Sequence, residues 1–146
     1  MKNISKKDRE LIKEAKRVAK KFSRETWFSK TTHKKRKIST VGAALRTKKG
    51  TVYSGPNIYH PYSSPSSICA EYTVIAKAYS EGYRDIDTIV ACWYKEKTNG
   101  DILPPCGQCR ELLRLFGNPW IIIQTKNGPK KEKLSKLLPY EDDFQI

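Results

Sequence analysis

The first regular pattern in the chain is helical. Leu11, Ala15, Val18 and Phe22 recur at steps of four, three and four, one apolar stripe in a segment otherwise rich in Lys and Arg. Ser5, with Asp8 three positions on, has the form of a capping box and predicts the helix start. A looser stretch follows Phe22 and ends in Lys34-Lys35-Arg36-Lys37. The pattern then changes. Ile38 to Arg46 reads as a strand, Lys48-Lys49-Gly50 as a hairpin turn, and Thr51–Ser54 as the returning strand. Gly55 to Ser67, rich in Ser, Pro and Gly, reads as a loop.

Helical spacing returns from Ile68 to Tyr83, where Val74, Ile75, Ala78 and Tyr79 share a face and Gly82 stands near the end. Ile86–Tyr94 contains the run Ile89-Val90-Ala91-Cys92-Trp93, the signature of a strand buried on both faces. A turn at 98–101 and the loop Leu103-Pro104-Pro105 lead into a second helix, Cys106 to Phe116, closed by Gly117-Asn118-Pro119. Trp120–Thr125 is another buried strand, and Lys133–Leu138 a short helix before an acidic tail. The alternation predicts a layered α/β domain with a mixed sheet.

Length and composition narrow the picture. A chain of 146 residues fits one domain. Segment 1–37 is then a basic amino-terminal helix and linker belonging to the same domain as the body, 38–146. Hydrophobic residues make up 38% of the chain, enough for a core and too many for a disordered chain. No apolar run approaches the roughly 20 residues that span a bilayer, and none follows the basic start as in a secretory leader. A soluble, cytoplasmic protein with no membrane partner is the expectation.

The net charge of +14 is concentrated at one end. Segment 1–37 holds 15 Lys/Arg against 4 Asp/Glu, and the body is nearly balanced. Such a segment is either a solvated helix packing one face on the body or an electrostatic footprint for nucleic acid.

The cysteines carry the chemistry. Cys106 and Cys109 form a C-x-x-C, and Cys69 precedes them where a loop enters a helix. In a reducing compartment such spacing reads as metal or redox chemistry rather than disulfides. Three thiolates at two helix starts suit zinc with its fourth position left to water, whose pKa the metal lowers. Helix dipoles and exposed N–H groups favour thiolate there. Arg110 is placed to offset the negative shell. Cys92 reads as a buried strand residue.

Glu71, two positions after Cys69, could reach such a water without ligating the metal and move its proton to a departing amine. A closed structural site with His33 or His60 as fourth ligand remains open at this point, as does a redox pair.

These motifs, Cys69-Ala70-Glu71 and Pro105-Cys106-Gly107-Gln108-Cys109, resemble the cytidine deaminase superfamily. The resemblance runs from Val41 to Leu138 and includes Val41-Gly42-Ala43-Ala44-Leu45 and Leu137-Leu138-Pro139. It implies a three-layer α/β/α fold with a mixed sheet of about five strands, and commonly a homotetramer. It also implies hydrolytic deamination of a cytosine-type nucleoside. Glu71 would be the catalytic acid/base and Cys69, Cys106 and Cys109 the zinc ligands. Ala70 and Pro105 would orient the base, Asn57 the sugar, and Phe144 could reach a neighbouring subunit's site.

One departure narrows the substrate. Asn57-Ile58-Tyr59-His60 has tyrosine where nucleoside deaminases carry a ribose-binding glutamate, and it is similar to the blasticidin S deaminase-like members. Tyr59 and His60 would shape the sugar side, which puts plain cytidine in doubt and favours a nucleoside antibiotic such as blasticidin S. The alternatives are a cytosine deaminase acting on single-stranded nucleic acid and a non-catalytic, zinc-stabilised nucleic-acid-binding module.

Overall fold

The computed structural model describes residues 1–24, 26–28, 30–96 and 100–139. A two-residue strand, β1 (Lys2–Asn3), precedes helix α1 (Lys6–Phe22). The capping box is formed: Ser5 Oγ accepts from the Asp8 N–H at 3.2 Å, and Asp8 Oδ2 accepts from the Ser5 N–H at 2.9 Å. Leu11, Ala15 and Val18 of the predicted stripe are buried, together with Ile12 and Ala19. The looser stretch that follows is a separate antiparallel ribbon, β2 (Thr26–Phe28) paired with β3 (Lys35–Lys37).

The body begins with the expected hairpin, β4 (Val41–Thr47) and β5 (Val52–Pro56), turning at Gly50 with φ +93°. Helix α2 (Ala70–Ser80) starts later than the apolar spacing suggests. Ile68 is held instead in a bridge with Ile58, each accepting the other's N–H at 2.9 and 2.8 Å. Strand β6 (Ile86–Trp93) follows, then β7 (Asp101–Leu103), α3 (Gly107–Arg114) and β8 (Trp120–Thr125). Strand β9 (Gly128–Lys133) and the short α4 (Leu134–Leu137) complete the described chain.

Seven strands form one mixed sheet in the order β1-β9-β8-β6-β4-β5, with β7 on β6. Five of them are five residues or longer. The β6–β8 pair is parallel, with Ile89 opposite Ile121, and its neighbours are antiparallel.

Alternate residues of the central strands serve opposite faces. Ala43, Leu45, Ile89, Ala91 and Ile121 pack with α2, α3 and α4 in one core. Ala44, Val90, Cys92 and Ile122 pack with α1 in the other. The result is three layers, with Cys92 buried under α1, where burial pushes its thiol up to about 12. At Gly42 a Cβ would lie 2.4 Å from Ala15 O and Ala19 N, so α1 meets β4 backbone to backbone and only glycine fits.

One buried polar cluster fastens the layers. Asp8, fully buried, accepts from Arg46 of β4 at 2.9 Å and from Lys131 of β9 at 2.8 Å. Arg46 also pairs with Asp87 of β6 at 2.6 Å. Burial raises the Asp8 pKa, but hydrogen bonds from Lys131, the Ser5 N–H and Arg46 outweigh it and hold the carboxyl well below the usual range. Its stabilisation is therefore present above the unfolded value of about 3.9 and is lost as pH falls below it. Asp8→Asn should lower stability at pH 7 by about 3–5 kcal/mol, since Lys131 loses its carboxylate partner and Arg46 is left with one of its two. Urea melts of both proteins at pH 7 and pH 3 should show that gap shrinking at the lower pH.

Candidate active site and metal centre

Helix α2 leads directly into β6 and α3 into β8. Because β6 and β8 are parallel, both helices begin at the same edge of the sheet, beyond the strands' carboxyl ends. Cys69 is the N-cap of α2 and Cys106 the N-cap of α3, with Cys109 in the first turn behind it. Strand β7 returns the chain beside β6 until Leu103 stands opposite Ala91, and two prolines then deliver Cys106.

The three sulfurs converge within 4.8 Å of one another. Cys69 and Cys106 are 3.9 Å apart, and Cys106 and Cys109 are 3.4 Å apart. Tetrahedral thiolates at about 2.3 Å from zinc stand about 3.8 Å from each other, so the spacing suits zinc. No histidine joins the three cysteines among the described residues. His33 lies in an exposed turn with φ 53°.

The electrostatics point the same way. Burial, then the negative charge of Cys106, raises the Cys69 pKa; burial, then Glu71, raises that of Cys109. At Cys106 burial is outweighed by hydrogen bonds from the Cys109 N–H and the neighbouring thiols, and the pKa falls below the ordinary thiol value. A dication at the cluster would offset the burial that raises Cys69 and Cys109 and let all three sulfurs ionise together.

Glu71 is 7% exposed and close enough for its charge to bear on all three thiols, yet it stands outside the sulfur cluster. Burial raises its pKa. It borders a cavity of about 280 Å³, at the small end of ligand sites, whose walls include Val41, Asn57, Tyr59, Ala70 and Cys106.

Asn57 is held in one orientation. Its Oδ1 accepts from Ser39 Oγ at 3.2 Å and from the N–H groups of Thr40 and Val41 at 2.9 and 3.0 Å. Its Nδ2 has no partner among the described residues and is left as a donor on the cavity wall. Ser39 was not singled out from sequence, and no local motif marks it.

Other expected site residues lie elsewhere. His60 is exposed and outside the lining; its backbone N–H donates to Ser67 Oγ and its Nδ1 accepts from the Tyr62 N–H. Pro104, rather than Pro105, borders the cavity, and Pro105 O accepts from Arg110 Nε at 2.9 Å. Arg110 also donates to Leu137 O at 2.8 Å, tying α3 to the loop before it and to α4. Phe144 falls outside the described residues.

Three thiols at paired helix starts, with a buried carboxylate beside a small cavity, fit the residue set of a zinc-dependent hydrolytic deaminase. The chain belongs to the cytidine and deoxycytidylate deaminase family, whose zinc-binding region matches residues 5–125. It is 36% identical over 104 residues to blasticidin-S deaminase of Bacillus cereus, spanning 68% of this chain and 74% of that protein. Cytidine deaminase of Sporosarcina psychrophila is 35% identical over 102 residues, 68% of this chain and 71% of that one. Among solved structures, cytidine deaminase from Bacillus anthracis superposes with a TM-score of 0.71 at 19% identity, covering 92% of this chain and 88% of that chain. Cytidine deaminase from Mycobacterium leprae gives 0.60 at 26% identity, covering 86% and 94%. Among the described residues no helix is long and apolar enough to cross a membrane.

Two outcomes are expected. Metal analysis should find one zinc per chain, retained in Glu71→Gln and largely lost in Cys106→Ser. Asn57→Asp keeps the acceptor that pins residues 39–41 but turns the cavity-facing donor into an acceptor. It should leave the melting temperature nearly unchanged while raising KM at least ten-fold with kcat less affected.

Proposed function

We propose that this deaminase acts on a cytosine-type base whose sugar lacks the ribose diol, the class that includes blasticidin S. The observation that carries this reading is the lining of the cavity: Glu71 is its one carboxylate among the described residues, and it serves the thiol cluster. The sugar side offers the Asn57 amide and the half-exposed Tyr59 phenol. A carboxylate accepts two hydroxyl protons at once; a phenol and a donor amide do not replace it. The 36% identity to a blasticidin-S deaminase supports the same choice.

Zinc held by Cys69, Cys106 and Cys109 would supply a water acidified toward neutrality. Glu71 would pass one proton of that water to the ring nitrogen as the water oxygen bonds to C4, and the second to the C4 amino group, so that the C–N bond breaks, ammonia leaves and a carbonyl remains. The helix-start backbone at Ala70 and the Pro104-Pro105 turn orient the ring. The Asn57 amide holds an acceptor on the sugar.

The test is ammonia release from cytidine, deoxycytidine, blasticidin S and a cytosine-containing single strand. The expected kcat/KM for cytidine is at least ten-fold below that of the best diol-free substrate. Glu71→Gln should lose about 10²–10⁴-fold in kcat. Preference for cytidine, or full activity in Glu71→Gln, would overturn the reading.

A further inference from the structure

The basic stretch before the body is the one strong sequence feature that zinc chemistry leaves unused. Its two halves have different fates. On α1, Glu14 pairs with Arg17 at 2.7 Å and Glu10 with Lys13 at 3.2 Å, so part of the helix charge is answered locally. The β2–β3 ribbon carries Lys34, Lys35, Arg36 and Lys37 in succession, all exposed, with the Lys37–Glu96 pair at 3.4 Å the ion pair formed there among the described residues.

The ribbon is joined directly to the cavity wall. Strand β3 runs straight into Ile38–Val41, the segment that Asn57 pins and that ends in the cavity wall. Ile38 O accepts from the Tyr59 N–H at 2.8 Å. Three residues past Tyr59, the Tyr62 ring lies 6.0 Å from the Arg36 guanidinium, a cation–π pair. Tyr59 and Tyr62 are 50% and 59% exposed, two large aromatic surfaces, the first on the cavity wall and the second beside Arg36.

We infer that the ribbon and these tyrosines form a track for single-stranded DNA, delivering a cytosine to the cavity. Adjacent cations with exposed aromatic rings are the elements by which proteins hold a single strand, phosphates on the charges and bases on the rings. The four consecutive residues span about 13 Å at strand rise, enough for two or three phosphates. The cavity fits the same ligand. Deoxyribose has no diol to miss a carboxylate, and an esterified 3′ oxygen has no proton to give, so it meets the donor that Asn57 presents. The inference rests on the cavity being a cytosine site. Its test is therefore binding without turnover, so that failure of the track and failure of the chemistry are told apart.

The probe is a labelled oligothymidylate with one central deoxycytidine, titrated against zinc-loaded Glu71→Gln from 50 to 200 mM salt. Replacing Lys34, Lys35, Arg36 and Lys37 by Ser should weaken binding at least ten-fold at 50 mM. It should also flatten the slope of log K on log salt by about 1.5–2, at about 0.7 for each of two or three phosphates. The control replaces Lys6, Lys7, Lys48 and Lys49 by Ser, the same charge at the opposite end of β4, where Lys7 and Gly50 lie beside Arg46. That variant should lose less than three-fold. Equal losses would mean attraction by net charge alone and would overturn the track. So would no binding of the strand, no loss in the ribbon variant, or binding of deoxycytidine 5′-monophosphate as tight as that of the strand.

Discussion

The parallel pairing of β6 with β8 is the constraint on which the site depends. Each strand is entered from a helix, so making the strands parallel makes the two helices start side by side. Cys69 and Cys106 cap those helices, and this brings residues 37 positions apart to 3.9 Å. An antiparallel pair would send the two N-termini to opposite edges of the sheet. Positive helix ends and free N–H groups then meet where three sulfurs need their negative charge tolerated. At the same edge β7 ends at Leu103, and Pro104-Pro105 leads the chain into Cys106.

Around that centre the molecule separates rigid support from chemistry. Gly42 admits α1 to backbone contact with β4, and the Asp8–Arg46–Lys131 cluster fixes α1 to the sheet at the other end of that strand. The layer opposite α1 is left to carry the cysteines and Glu71. Asn57 links support to site, since the oxygen that closes the start of β4 leaves its amide donor for the cavity. Arg110, expected as an offset for the metal's thiolates, spends its guanidinium on Pro105 and Leu137 carbonyls.

Much of this was legible in the chain. The α1 stripe and its cap, the β4–β5 hairpin, and the apolar runs of β6 and β8 follow from period and turn chemistry. The strand β9 did not: Gly-Pro-Lys-Lys-Glu-Lys has no apolar alternation, and it is a strand because β8 offers it an edge. The ribbon of β2 and β3 escaped for the same reason, being held by pairing rather than by burial of a pattern. Helix α2 loses its first predicted turn to the Ile58–Ile68 bridge, a contact ten residues apart in sequence that apolar spacing does not encode.

The site divides along the same line. Sequence alone determined the candidate ligand types, the carboxylate two positions from a cysteine, and the tyrosine two positions after Asn57, because these are matters of identity and short spacing. Tertiary structure decided which of those side chains share a cavity. It kept Asn57 and Tyr59 on the wall, left His60 on the surface, and replaced Pro105 by Pro104 at the rim. It also recruited Ser39, which no motif announces, to fix the Asn57 amide. The physical reason is that orientation within a site depends on hydrogen-bond partners from distant strands, and those partners are brought together by the sheet's register rather than by neighbours in the chain.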